Sequence, residues 1–257
     1  MTTAREPLVD YESRAARYRS GRELTPAQVE RWRTAVAERV PAALGAPAAP
    51  GATVVDAGAG TGAFLPMWAS LGAHRIVAVE PSSAMRGFAA ARGVAGAEII
   101  AGTLTAMPLA DDAADVMWIS AVLHHVADHG AAFAEVARVL RPRGRLLVRG
   151  LVPGLSRVPW LDHVPGADRA LARFPDLATL TRLATDAGLR PAGADVVVDG
   201  APRTPAEAAA WITAMRSADS LLTALTDDEI ATGLAALRRL RDPLDPVTLG
   251  LVTFEAP

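Results

Sequence analysis

The stretch from Val54 to Phe64 constrains the fold more than any other part of the chain. It reads Val-Val-Asp-Ala-Gly-Ala-Gly-Thr-Gly-Ala-Phe: an apolar run closed by Asp56, then Gly58, Gly60 and Gly62 at alternate positions, then helix-like sequence. Glycine tolerates the positive φ of a tight turn and lets a ligand approach the backbone closely. The pattern therefore predicts a strand, a glycine loop and a helix, with a ligand at the carboxyl end of a sheet. The next apolar run, Ile76–Val79, ends in Glu80. A carboxylate at the end of a second strand can accept hydrogen bonds from both hydroxyls of a ribose.

Around this unit the chain alternates. Strand-like runs are predicted at Thr53–Ala57, Arg75–Val79, Ala97–Ile100, Val116–Ile119 and Leu146–Val148, with helices over Gly62–Leu71, Ser82–Arg92 and Gly130–Leu140 between them. Continuous apolar strands separated by helices imply a parallel sheet covered on both faces. After Gly150 a proline-rich loop leads to a helix at Leu177–Ala187 and a strand at Asp195–Val198. Two or three helices follow over Thr204–Leu240, and Val247–Phe254 closes the chain as a last strand. The first fifty residues read as helices, Asp10–Arg19 and Thr25–Leu44, with Thr25-Pro26 as a start signal. The expected fold class is α/β, a doubly wound and mostly parallel seven-stranded sheet. Its expected parts are an N-terminal helical lid (1–50), a core (51–200), a helical insertion (201–245) and a returning last strand (246–257).

Five segments in this order resemble the class I S-adenosylmethionine-dependent methyltransferases. They are Asp56-x-Gly-x-Gly-x-Gly62, Glu80-Pro-Ser with Met85, Gly102–Leu109, Asp115–His125, and Leu140–Val148. The resemblance is close over roughly residues 50–150. It implies S-adenosyl-L-methionine as cofactor, with Asp56, Gly58, Ala59, Gly60 and Gly62 holding the methionine end and Glu80 and Pro81 at the ribose. Met85, Thr103 and Leu104 would surround the adenine, and Ser120 and Ala121 would lie beside the cofactor. Many relatives have an acid where this chain has Thr103, whose hydroxyl accepts a hydrogen bond more weakly. An N-terminal helix in such enzymes folds over the cofactor, which assigns Tyr18 and Arg22 to the same site. Met85 has core packing as its alternative, and the N-terminal helix a solvated amphipathic face.

Methyl transfer from a sulfonium demands alignment and exclusion of water, with a base only where the nucleophile must lose a proton. His124 and His125, just past the fourth strand, are the candidate bases; alternatively one packs the helix start and the other faces solvent. Arg149, Arg157 and Arg173, together with Arg169, cluster after strand five. Arginine forks bind oxyanions in a bidentate manner, so these residues, with His163 and Trp211, are candidates for a small acceptor carrying an anionic group, such as a prenyl diphosphate or an aromatic acid. The insertion would roof the pocket or form a dimer interface.

All 26 basic residues are arginine, and lysine, asparagine and cysteine are absent. That excludes a lysine-bearing phosphate loop, Schiff-base chemistry and thiolate metal sites. The net charge of −2 gives no basic field for nucleic acid. No metal site is expected from the His and carboxylate spacing. The sequence lacks a signal-like N-terminus and a membrane-length apolar run, so a cytoplasmic monomer or homodimer acting on a small molecule is expected. A cyclase or other non-methylating enzyme on the same fold, and a nicotinamide-dependent oxidoreductase, are the alternatives.

Overall fold

A computed structural model describes residues 23–40 and 51–257. Seven strands form one sheet: β1 (Thr53–Ala57), β2 (Arg75–Val79), β3 (Ala97–Ile100), β4 (Ala114–Ser120), β5 (Leu140–Gly150), β6 (Arg190–Val198) and β7 (Thr248–Glu255). Their order is β3-β2-β1-β4-β5-β7-β6. Pairing is parallel from β3 through β5, and β7 runs antiparallel to both of its neighbours. The order reverses between β1 and β4, so the chain leaves these adjacent strands in opposite directions and a crevice opens at their carboxyl ends. Strands β5 and β6 extend well beyond their apolar runs. Their added residues, rich in arginine, proline, glycine and alanine, keep the ladder going near solvent, where Arg145 and Arg190 pair with Glu255.

Side-chain alternation along each strand divides the core into two layers. On one face Val55, Val77 and Met117 pack with Phe133 and Val136 of α4 (His129–Val139) and Leu180 of α6 (Leu177–Asp186). On the other, Val54, Ile76 and Trp118 meet Trp32 of α1 (Pro26–Ala37), Trp68 of α2 (Leu65–Ser70) and Ala89 of α3 (Ser83–Ala90). Helix α1 starts where the sequence predicts, with Thr25 and Gln28 in a reciprocal cap and Pro26 in the first turn. Within the segment expected to form a lid, α1 builds Trp32 and Val36 into the sheet's own core. The helix expected over Asp10–Arg19, with Tyr18 and Arg22, lies outside the described residues.

A third core belongs to a cap. The segment before β7 forms α7 (Pro205–Met215), α8 (Ser220–Thr223) and α9 (Asp227–Leu237), of which α7 and α9 begin with reciprocal Thr–Glu caps. The loop after β5 joins it through a 3-10 turn, Pro159–His163, and α5 (Ala167–Leu171). Trp160, Leu161 and Ala170 from that loop are buried with Ile212, Met215, Leu222 and Leu237. The cap therefore draws on two distant segments. No helix among the described residues is long and apolar enough to cross a membrane.

Trp118 is the hub of the second layer. Its ring meets Trp32, Phe64 and Trp68 edge-on, at centroid distances of 6.4, 5.2 and 5.6 Å. Truncation there leaves a large cavity, so Trp118→Ala should lower unfolding free energy by about 3–5 kcal/mol in urea titrations. Trp118→Phe should cost less than half as much, because it also removes a buried indole N–H that has no hydrogen-bond partner.

Candidate active site

The glycine loop leaves β1 under tight control. The amides of Gly58 and Ala59 both donate to the carbonyl of Val79, at 2.7 and 3.1 Å, which pins the loop across the end of β2. Gly58, Gly60 and Gly62 have φ of 76°, 54° and 70°. At Gly58 a side chain is excluded twice, since a Cβ would also lie 2.5 Å from Val122. At Gly60 a Cβ would meet nothing within 4 Å, so this backbone faces open space. Glu80 holds the loop from below: its carboxylate accepts from the Gly60 amide and the Ser82 amide, each at 2.9 Å. Asp56, buried at the strand end, accepts no hydrogen bond from any described residue. Burial, and then the negative charge of Glu80, push its carboxyl up to about 8.

A cavity of about 270 Å³ opens over this loop. Asp56, Gly58, Ala59, Gly60, Ser120 and Ala121 line one end of it. Ala121 has φ 55°, unusual without glycine, and its amide donates to the Arg149 carbonyl at 2.8 Å. Gly62 lies behind the cavity, packed against Leu65 and Ala89. Glu80, Pro81, Met85, Thr103 and Leu104 are outside the lining. Met85 is buried, Leu104 belongs to the first core layer, and the exposed Thr103 hydroxyl contacts that of Thr105 at 3.2 Å.

The far end of the cavity is aromatic and belongs largely to the cap, with Trp160, Phe174, Trp211 and Leu221. His124 lines the cavity with its ring 4.4 Å from that of Phe174; His125 lies behind it. The hydroxyl of Ser220 lies 2.9 Å from His124 Nε2 and 3.3 Å from His125 Nε2. Burial, with the nearby Arg173 guanidinium, lowers His125 to about 4. His125 is therefore neutral near pH 7 and a weak base behind the cavity wall.

The arginines expected to gather around an anion do not do so. Arg157 pairs with Asp162 on the surface, and Arg169 pairs with Glu229 of α9. Arg173 and His163 are outside the cavity lining. Arg149 does line the cavity, but its guanidinium donates to Asp199 Oδ1 at 2.6 Å and Ser120 Oγ at 3.1 Å, between the rings of Trp32 and Phe64. Three lining residues passed over by the sequence reading matter as much: Arg203, stacked on Trp211, Asp199, and Ser220. Only Arg203, next to the insertion's start, carried a sequence cue; Ser220 has none, because its partners are 95 and 96 residues away.

The state of Asp56 should be visible in stability. Its folded value lies above the usual 3.8, so the folded protein holds this proton more tightly than the unfolded chain. That contribution is complete below about pH 4 and is lost as pH rises toward 8. In urea unfolding of the unliganded protein, Asp56→Asn should gain on the wild type across this window, with a slope approaching about 1.4 kcal/mol per pH unit. A constant difference would mean that Asp56 is already ionised.

Comparison with known proteins agrees with this geometry. Residues 55–148, which run from β1 into β5, match the family model described as a methyltransferase domain. Malonyl-acyl-carrier-protein O-methyltransferase of Yersinia pestis is 35% identical over 104 residues, 40% of this chain and 38% of that protein. Demethylmenaquinone methyltransferase of Renibacterium salmoninarum is 36% identical over 125 residues, 49% of each chain. The chain thus spans half or less of the length of these two curated relatives. Among solved structures, the cyclase SpnF shares the fold with a TM-score of 0.62 at 21% identity, over 92% of this chain and 84% of that one. Residues 55–148 thus resemble the methyltransferase domain of these proteins.

Proposed function

We propose that the protein transfers a methyl group from S-adenosylmethionine to a small, largely apolar acceptor, with His124 as general base. One observation carries this reading: the open backbone at Gly60 lies beside a buried carboxylate, Asp56, that no described residue bonds. That pair suits the ammonium of the cofactor's methionine end. Glu80 accepts one backbone amide on each carboxylate oxygen, at the strand end assigned to the ribose. Met85, Thr103 and Leu104 follow Glu80 along the chain as the adenine side. When bound, the cofactor supplies an electrophilic methyl group on a sulfonium. The chain's residues align the acceptor, exclude water beneath the cap, and take up the acceptor's proton at His124 where the nucleophile carries one.

Charge argues against the anionic acceptor that the arginine run suggests. Glu23, Asp199, Asp219 and Asp245 line the cavity against Arg149 and Arg203, and a bound cation would draw Asp56 into its ionised form. Such a surplus favours a sulfonium and disfavours a second anion. Trp160, Trp211 and Phe174 offer flat apolar walls, which suit a neutral aromatic ring. The relative named for demethylmenaquinone is consistent with that class of acceptor.

The test is to incubate the protein with S-adenosylmethionine and a panel of hydroquinones and phenols, each paired with its carboxylated analogue, and to measure S-adenosylhomocysteine. Neutral members should be methylated at least tenfold faster than their analogues. His124→Gln should lower kcat by about 10²- to 10⁴-fold while cofactor affinity stays the same. Gly60→Val should abolish calorimetric binding, because its side chain would enter the cavity on a strained turn. Tight binding with no S-adenosylhomocysteine from any acceptor would favour the non-methylating alternative.

A further inference from the structure

Ser220 reaches the two histidines from the cap. It is the first residue of α8, and its neighbour Asp219 already caps that helix by accepting from the amides of Leu221 and Leu222. Capping therefore makes no use of the Ser220 hydroxyl, which bridges the Nε2 atoms of His124 and His125. A hydroxyl has one hydrogen and two lone pairs. To satisfy both contacts it must donate to one ring and accept from the other, so the two neutral imidazoles are held in opposite tautomers.

We infer that Ser220 is a positioning residue for His124: it fixes the ring and stabilises its protonated form, so that the general base is complete only when the cap is docked. The inference rests on the proposed role of His124. Its direction is set by the neighbours. His125 is shielded by burial and faces Arg173, so it stays neutral and offers a lone pair. With the Ser220 hydrogen directed at His125 Nε2, Ser220 Oγ accepts from His124 Nε2–H in the neutral and the protonated ring alike, and the proton that His124 takes up binds its Nδ1. No proton leaves the chain of three groups; each hydrogen bond simply has one allowed sense. Phe174 stacks on His124 from the loop before α6, and Asp219 at the cavity wall is the nearest carboxylate in sequence to the bridge. Arg149 lies across the same cavity, neutralised by Asp199.

Imidazole nitrogen NMR tests this without any acceptor, on protein labelled with 15N-histidine and saturated with S-adenosylhomocysteine. The wild type should show His124 and His125 in opposite tautomers. Ser220→Ala should lower the His124 titration midpoint by about half to one pH unit, the loss of one hydrogen bond to an imidazolium. Ser220→Thr, which keeps the hydroxyl, should stay close to the wild-type midpoint. Identical tautomers in the wild type, or an unmoved midpoint in Ser220→Ala, would overturn the inference. If Ser220→Ala fails to fold, the wild-type tautomers alone decide. His124→Gln in the transfer assay separates the two ideas: activity retained there sinks the general base, whereas the tautomer result bears only on Ser220.

Discussion

The buried guanidinium of Arg149 joins four separate segments of this molecule. Only 7% of the residue is exposed. Placing a charge there costs several kcal/mol unless it is paired, and four segments share the pairing. Asp199, from the turn after β6, accepts from Arg149 and also from the indole of Trp32 in α1, each at 2.6 Å. Phe64, at the end of the glycine loop, covers the guanidinium at 5.0 Å, and Ser120 at the end of β4 accepts its second bond. Removing one member would strand a charge, so the first helix, the cofactor loop and the far edge of the sheet hold one another in place.

That arrangement explains why the cavity has two unlike ends. The loop end is backbone and carboxylate, held by Val79 and Glu80 in the only way that three positive-φ residues permit. The cap end is indole and phenyl surface, held by a core of its own that shares little with the sheet. Methyl transfer needs both: a polar seat for a charged donor and a dry wall for the acceptor. The reversal of strand order at β1 and β4 opens the space between them, and a cap built from two distant segments closes it.

Two runs of sequence show how differently local signals translate. Gly58, Gly60 and Gly62 were legible because each must adopt a conformation that other residues resist, and that demand is local. The arginines after β5 were equally visible, yet their sequence did not say what each would meet. A guanidinium's role depends on which carboxylate reaches it, and Asp162, Glu229 and Asp199 reached three of them. Likewise His124 and His125 are equivalent in sequence, but one lines the cavity and the other lies behind it, where burial beside Arg173 lowers its pKa.

The sequence by itself determined the alternating strands and helices, the glycine loop, the acids that end β1 and β2, and the helical insertion before the last strand. These follow from backbone conformational preference and from periodic burial, both of which act over a few residues. Tertiary structure alone decided that the loop after β5 belongs to the cap, that α1 is part of the core, that Arg149 is locked to Asp199, and that Ser220 meets the histidines. Each of those depends on side chains separated by tens of residues along the chain. Their distance, burial and charge balance exist only once the sheet has folded and the cap has packed upon it.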